Sequence, residues 1–288
     1  MNFFVKGLIR RLRYALFSTH HKDVQRYIAL FPKTDFKVVR NGNSYKISFD
    51  NSLGYYKNNY EPEFSYSFWT NHFTVRINEV LIQTLINPCC ELLCEWRGYT
   101  LLKTPQKGDN VIDAGAATGF ISLLFAKYVG TGRVYALEPD KRMYRILIHN
   151  IKINQIRNIV AINKGLYSET GSFSFDNDTL SLKRISGENS NMIETIDMQT
   201  LIDSYKIDIL KLSLIKLDIE GAEVDIAEDL ANIILKNPHA MAAIASYHPY
   251  EASDTGKKIH DIITQNFKSL EVVQEFLTHP TTFIYQKK

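Results

Sequence analysis

The chain has 288 residues, 45% of them hydrophobic and 23% charged, with a formal net charge of +3. That is the composition of an ordinary globular protein, long enough for one large α/β domain with an extension. No apolar run reaches the length of a membrane span. The basic excess is too slight to argue for a polyanion, so nucleic acid is not an expected partner.

Residues 1–88 read as an N-terminal accessory region and residues 89–288 as the main domain. Phe4, Val5, Leu8, Ile9, Leu12, Ala15 and Leu16 recur at helical spacing, with Lys6, Arg10 and Arg13 on the other side. Such a helix can dock on its own domain, the simpler reading, or lie with residues 1–17 on an anionic membrane face. Its arginines fall where a signal peptide needs an apolar core, so it is not one. Next, Phe36–Arg40 and Ser44–Phe49 flank Asn41-Gly42, a hairpin signal. A stretch with Tyr55, Tyr56, Tyr60, Tyr66 and Trp69 suits the packing of a small β-rich cap, or stacking on sugars or bases. Val80–Ile86 reads as a helix leading into the main domain. Cysteine occurs at Cys89, Cys90 and Cys94 only. An odd, clustered set is no disulfide framework and implies a reducing, cytoplasmic setting. No histidine lies beside it to complete a zinc site, and no metal is assigned.

From Val111 onward, predicted strands and helices alternate. Strands are expected at Val111–Asp113, Arg133–Glu138, Ile159–Asn163, Leu214–Asp218, Ala242–Ser246, Leu270–Glu275 and Thr282–Tyr285. Helices are expected at Ile121–Tyr128, Arg142–Ile153, Ala222–Leu235 and Lys257–Asn266. Alternation of this kind predicts a parallel, doubly wound α/β sheet. The last two strands are joined by too short a loop for a helix, so they must be antiparallel neighbours. One late antiparallel strand in such a sheet is the signature of the Rossmann-like class I methyltransferase fold.

Three strand ends carry the chemistry. At the first, Asp113 is followed by Gly115, Ala116 and Gly119 and then by a helical pattern. A strand, a glycine turn and a helix N-terminus form the usual cofactor cradle of an open α/β sheet. A dinucleotide site wants a further glycine where Ala117 stands, so that backbone can approach a pyrophosphate. S-adenosyl-L-methionine (SAM) has no pyrophosphate and fits better. Asp113 would lie near its ammonium. Glu138, ending the next strand, would accept from both ribose hydroxyls, and Asn163, ending the third, would touch the adenine.

At the second, Lys216-Leu217-Asp218-Ile219-Glu220-Gly221 ends a strand in two acids and a glycine. Asp218 would face the reacting groups, while Glu220 would bind the acceptor or cap the helix. Capping is the simpler reading of Glu223. At the third, His248 follows the strand Ala242–Ser246 and would enter the same cleft as a general base toward a hydroxyl. A divalent ion among these carboxylates is conceivable and is not assigned. No Asn-Pro-Pro-Tyr type motif is present, which argues against methylation of amino groups on adenine or glutamine.

Val111–Ala116 with Gly119, Glu138-Pro139, Asn163–Leu166, Ile215–Glu223 and His248 together resemble the FkbM family of SAM-dependent methyltransferases. The resemblance runs from Val111 to the C-terminus, and Lys216–Glu223 is its specific part. It implies a class I fold and O-methylation of a small-molecule, glycan or lipid-linked acceptor. The rival readings are an NAD-dependent oxidoreductase, which Glu138 would suit, and a non-catalytic binding protein on the same scaffold; an RNA methyltransferase is a lesser option, given the slight basic balance.

Overall fold

The computed structural model describes residues 36–41, 44–49, 62–67, 72–77, 79–85, 88, 92, 95–176, 181–183, 192–246, 248–250, 253–275 and 281–287. The expected N-terminal helix, the three cysteines, and Tyr55, Tyr56, Tyr60 and Trp69 lie outside the described residues. The chain divides into two compact units, Met1–Leu93 and Cys94–Lys288.

The first unit is an antiparallel meander of β1 (Phe36–Asn41), β2 (Ser44–Phe49), β3 (Glu63–Ser67), β4 (His72–Ile77) and β5 (Val80–Thr84). Alternation along the strands sends Tyr45, Ile47, Phe64, Phe73, Val75, Ile77 and Ile82 to a buried face. Lys46, Glu63 and Arg76, register neighbours across three strands, are exposed on the other. The rings of Tyr45 and Phe64 stack at 5.1 Å across β2 and β3. The expected hairpin forms, with Asn41 opposite Ser44. The helix expected over Val80–Ile86 does not: Val80–Thr84 is the edge strand β5, paired with β4 from Ile77↔Val80 to Phe73↔Thr84. Its apolar residues fit either period, and pairing with the neighbouring strand decides the outcome.

The second unit opens with α1 (Trp96–Thr100) and continues through β6 (Asn110–Ala114), α2 (Phe120–Val129), β7 (Val134–Leu137), α3 (Lys141–Ile153) and β8 (Ile159–Ile162). A small side sheet follows, in the order β11 (Ser181–Lys183), β10 (Gly171–Asp176), β12 (Met192–Ile196) and β9 (Gly165–Leu166). Then come α4 (Met198–Tyr205), β13 (Leu212–Leu217), α5 (Ala227–Lys236), β14 (Met241–Ala245), a short ribbon of β15 (Pro249–Tyr250) and β16 (Ser253–Asp254), α6 (Thr255–Asn266), β17 (Leu270–Glu275) and β18 (Thr281–Gln286).

The main sheet runs β17-β18-β14-β13-β6-β7-β8. β13, β14, β6, β7 and β8 are parallel, while β18 is antiparallel to both β14 and β17. This is the class I methyltransferase order, with the reversed strand inserted beside β14. Strand parity sends Ile112, Ala114, Ile215, Leu217, Ala242 and Ile244 into one core with residues of α4, α5 and α6. The opposite face carries Asp113 and Lys216, register partners on β6 and β13. All the parallel strands run the same way, so the turns after β6, β7, β13 and β14 gather at one edge of the sheet. That edge is the usual ligand crevice of an open α/β sheet.

Candidate active site

The turn after β6 is set by backbone geometry. Gly115 has φ +73°, and a Cβ there would fall 1.8 Å from the carbonyl oxygen of Asp218. Gly119, which starts α2, has φ +82°, and its Cβ would fall 2.2 Å from Leu147 Cδ1. Gly115 therefore requires glycine by backbone contact, and Gly119 chiefly by its left-handed φ. The amides of Gly115 and Ala116 both donate to the Leu137 carbonyl, at 3.0 and 2.9 Å, which fastens the turn to β7. Ala116 is buried beside Ala136 and Leu147.

Glu138 stands at the end of β7, 7% exposed. Its Oε2 accepts from Ala117 N–H and its Oε1 from Asp140 N–H, each at 2.8 Å. Ala117 reaches it from a left-handed conformation, φ +47°. Burial pushes the Glu138 carboxyl above its ordinary range, against the pull of those two amides. A carboxylate oxygen has two acceptor directions. One remains on each oxygen, which matches the two hydroxyls of a ribose. Asn163 uses its amide to donate to the carbonyls of Glu138 and Pro139, at 2.8 and 3.2 Å, and so secures the turn that carries Glu138.

Asp113 is placed differently from its expected position beside an ammonium. Its carboxylate is fully buried, accepts from Ser122 Oγ at 2.5 Å and pairs with Lys216 Nζ at 3.1 Å. A side chain enclosed in this way holds the turn from beneath and does not face the cleft. Lys216, equally buried, also donates to the Gly115 carbonyl at 2.7 Å and lies 5.3 Å from the centre of the Tyr99 ring. Burial alone would lower its pKa, but the charges of Asp113, Asp218 and Glu95 outweigh burial and hold it above the ordinary lysine value.

The turn after β13 is built on side chains. Asp218 donates its N–H to the Ala114 carbonyl at 3.1 Å, which joins this turn to the glycine turn. Its Oδ2 accepts from the buried Tyr99 hydroxyl at 2.9 Å, and its Oδ1 lies 3.3 Å from His248 Nε2. Burial opposes ionisation of Asp218, yet His248, Lys216 and Tyr99 together hold its carboxyl well below the usual range. Glu220 is in the left-handed region at φ +57° and brings its Oε2 to 3.6 Å from the same His248 nitrogen. Its side chain is 56% exposed against 16% for Asp218, so of these two acids it is the one that chiefly meets solvent.

His248 is 3% exposed. Its Nδ1 lies 2.9 Å from Glu223 Oε1. Burial disfavours the imidazolium, but the Asp218 and Glu223 carboxylates prevail and push the pKa up to about 10. That value favours the imidazolium at neutral pH, with Nδ1 on Glu223 and Nε2 ion-paired to Asp218 rather than hydrogen-bonded. Asp218, Glu223 and His248 offer ligand atoms within 4.8 Å of one another. Binding a cation there would require the neutral ring, which leaves a lone pair on one nitrogen.

Asp218, Glu220 and His248 thus converge, and Gly115, Ala116, Gly119, Glu138 and Asn163 form a connected edge around the first turn. Sequence reasoning assigned no role to Tyr99 or Lys216 and read Glu223 as a helix cap. A lysine inside the otherwise apolar run Leu214–Leu217 was a legible sign of a buried acid opposite it. Tyr99 gave no such sign.

Residues 96–185 match the family model described as the TRM5/TYW2 methyltransferase domain. A 64-residue stretch is 34% identical to the ribosomal protein L11 methyltransferase of Anoxybacillus flavithermus, over 22% of this chain. The chain spans 20% of the length of that relative. The Methanococcus jannaschii fibrillarin pre-rRNA processing protein superposes with a TM-score of 0.43 at 15% identity, over 88% of this chain and 98% of its own. Aeropyrum pernix fibrillarin, crystallised with natively bound SAM, gives a TM-score of 0.44 at 14% identity, over 88% and 100%.

The second unit is a SAM-dependent methyltransferase domain of class I, and its cofactor is SAM. The free lone pairs of Glu138 and the self-packed glycine turn fit that cofactor. One expectation is corrected. Nucleic acid was set aside on net charge, but the relative matched at 34% identity is a ribosomal protein methyltransferase, which counts against that exclusion. A whole-chain charge of +3 carries no information on where basic residues cluster, so it could not exclude that class. Among the described residues, no helix is long and apolar enough to cross a membrane.

Proposed function

We propose that the chain is an FkbM-type O-methyltransferase whose acceptor is a hydroxyl of a small molecule, glycan or lipid-linked sugar. The observation that carries this reading is the placement of Asp218, hydrogen-bonded by Tyr99 and flanked by the His248 imidazolium, in the turn beside the glycine cradle. When bound, SAM would supply the methyl group, its sulfonium becoming the thioether of S-adenosylhomocysteine. Glu138 would hold the ribose. Asp218 orients the acceptor hydroxyl and takes its proton as the new C–O bond forms. Its low pKa makes it a weak base. A weak base suffices, because the oxygen becomes strongly acidic only as it bonds to carbon. His248 holds Asp218 in place and stays protonated, so it is not the base. Most of the rate enhancement comes from alignment, since in-line displacement needs the hydroxyl held at the methyl group. The turn residues Gly115, Ala116 and Gly119 shape the cradle, and Asn163 supports it from the end of β8.

A second reading, an acceptor within RNA or a ribosomal protein, is favoured by the matched domain and the names of the relatives. The experiment is titration calorimetry with S-adenosylhomocysteine, beside NAD and the Glu138→Ala variant, followed by transfer of labelled methyl to separated cell fractions. Binding that is lost in Glu138→Ala, with label in glycan or lipid, supports the first reading. Label in RNA or ribosomal protein replaces it with the second. Binding of NAD in place of S-adenosylhomocysteine removes both.

A further inference from the structure

Glu223 is a fully buried acid that the mechanism above does not use. Acids are almost never fully buried unless their oxygens are paired. Its Oε1 accepts from Ile219 N–H at 2.8 Å and its Oε2 from Gly221 N–H at 2.7 Å, and Oε1 also meets His248 Nδ1 at 2.9 Å. The helix-cap reading does not survive this geometry. Helix α5 starts at Ala227 and has its own first-turn acids, Glu228 and Asp229. The amides that Glu223 receives lie upstream, in the turn itself.

Those two amides bracket Glu220, a non-glycine residue in the left-handed region at φ +57°. That conformation costs about 1–2 kcal/mol and persists only when its surroundings fix it. On its other side, Glu223 turns the imidazole so that the far nitrogen points at Asp218 and Glu220. One carboxylate thus fixes both walls of the acceptor side: the loop carrying Glu220 and the ring beside Asp218.

We propose that Glu223 is a positioning residue, which locks the proton of His248 on Nδ1 and the 219–221 backbone into one unit so that Nε2 is presented to Asp218. The proposal rests on the O-methyltransferase reading for what that ring edge then does. The ionisable groups around the ring are Asp218 and Glu220 at Nε2 and Glu223 at Nδ1. Lys216 and Tyr99 act on it through Asp218, and Asp225 couples to Glu223.

The test is a nitrogen–proton NMR titration of the histidine rings in the full chain, with His248 assigned by the His248→Ala variant. In the wild type, both ring nitrogens of His248 carry protons at neutral pH. In Glu223→Gln, which keeps the shape and loses the charge, the titration moves down by more than about one pH unit. In Glu223→Asp, whose carboxylate is set back by one carbon, it moves down by less. A role in packing alone would leave the titration in place. The proposal is overturned if wild-type Nδ1 carries no proton at neutral pH. It is overturned equally if folded Glu223→Gln titrates like the wild type. Should Glu223→Gln not fold, the wild-type proton positions and the Glu223→Asp titration decide by the same criteria. None of these readings needs an acceptor or cofactor. Failure of S-adenosylhomocysteine to bind would strike the methyltransferase reading and leave this measurement intact.

Discussion

Two turns stand side by side at the carboxyl edge of the sheet, and they are held by different physics. The turn after β6 is fixed by sterics and backbone hydrogen bonds: two glycines pressed against neighbouring atoms, and two amides on one carbonyl. The turn after β13 is fixed by carboxylates, with Glu223 accepting from the backbone and Asp218 and Glu220 closing on an imidazolium. The first suits an invariant ligand, because the glycines and amides that shape it do not titrate. The second suits reacting groups, because its charges can be tuned. The comparison teaches that the cradle and the chemistry can fail separately, except where a residue belongs to both.

Lys216 belongs to both, and its loss should have the largest effect. It pairs with Asp113 beneath the first turn, donates to the Gly115 carbonyl and lowers the Asp218 pKa in the second. Lys216→Met leaves Asp113 buried without its partner. Breaking a buried pair from one side costs about 3–5 kcal/mol. Urea unfolding should show that loss together with weaker S-adenosylhomocysteine binding. A loss below about 1 kcal/mol would mean that the pair does not brace the edge.

Gly115→Ala strikes the first turn at the point where it presses on the second. A methyl at 1.8 Å from the Asp218 carbonyl, on a backbone at φ +73°, forces the two turns apart. Strain and overpacking together should cost about 2–4 kcal/mol. The expected result is a lower unfolding midpoint and lost S-adenosylhomocysteine binding, with the His248 titration still displaced upward because Glu223 is untouched. If that titration returns to an ordinary histidine value in a folded variant, the two turns are one cooperative unit and the comparison fails.

The same division explains what the sequence disclosed. The strand ends were legible because each buried strand is an apolar run stopped by an acid or a turn residue, as at Asp113, Glu138 and Asp218. The late antiparallel pair was legible from a loop too short for a crossover. The helix expected from Ala222 starts only at Ala227, since Glu220 and Gly221 are both left-handed and the chain turns through residues 218–226 first. Helix α4 was not anticipated, although Asp197 caps it by accepting from Thr200 N–H at 2.8 Å. In the site, the residues read correctly as converging sit at strand ends, where position follows from topology. Those missed work through partners far along the chain: Tyr99 bonds to Asp218 across 119 residues, and no local pattern marks such a contact.

The smallest expected effect is on pH dependence, and it separates the two turns without a mutation in either. An unfolded histidine titrates near about 6.5, whereas His248 in the fold is held up at about 10. Stability contributed by the imidazolium is therefore complete below about pH 6.5 and fades as pH rises toward about 10. Asp218, whose pKa is depressed, contributes the same ion pair from the other side: present above about pH 4, lost as pH falls. Lys216 is held above its ordinary value and stays charged throughout the range between neutral and about pH 9.5. In that range only the second turn should weaken. Urea unfolding should then show a loss of about 2 kcal/mol between neutral and mildly alkaline pH, the scale of a hydrogen bond to a charged group. S-adenosylhomocysteine affinity should stay flat over the same range, since the acids that His248 meets, Asp218, Glu220 and Glu223, belong to the second turn. In His248→Gln the alkaline slope of stability should disappear. A slope that persists in His248→Gln would place the titrating group elsewhere. An affinity that falls in step with stability would show that the imidazolium also supports the cradle.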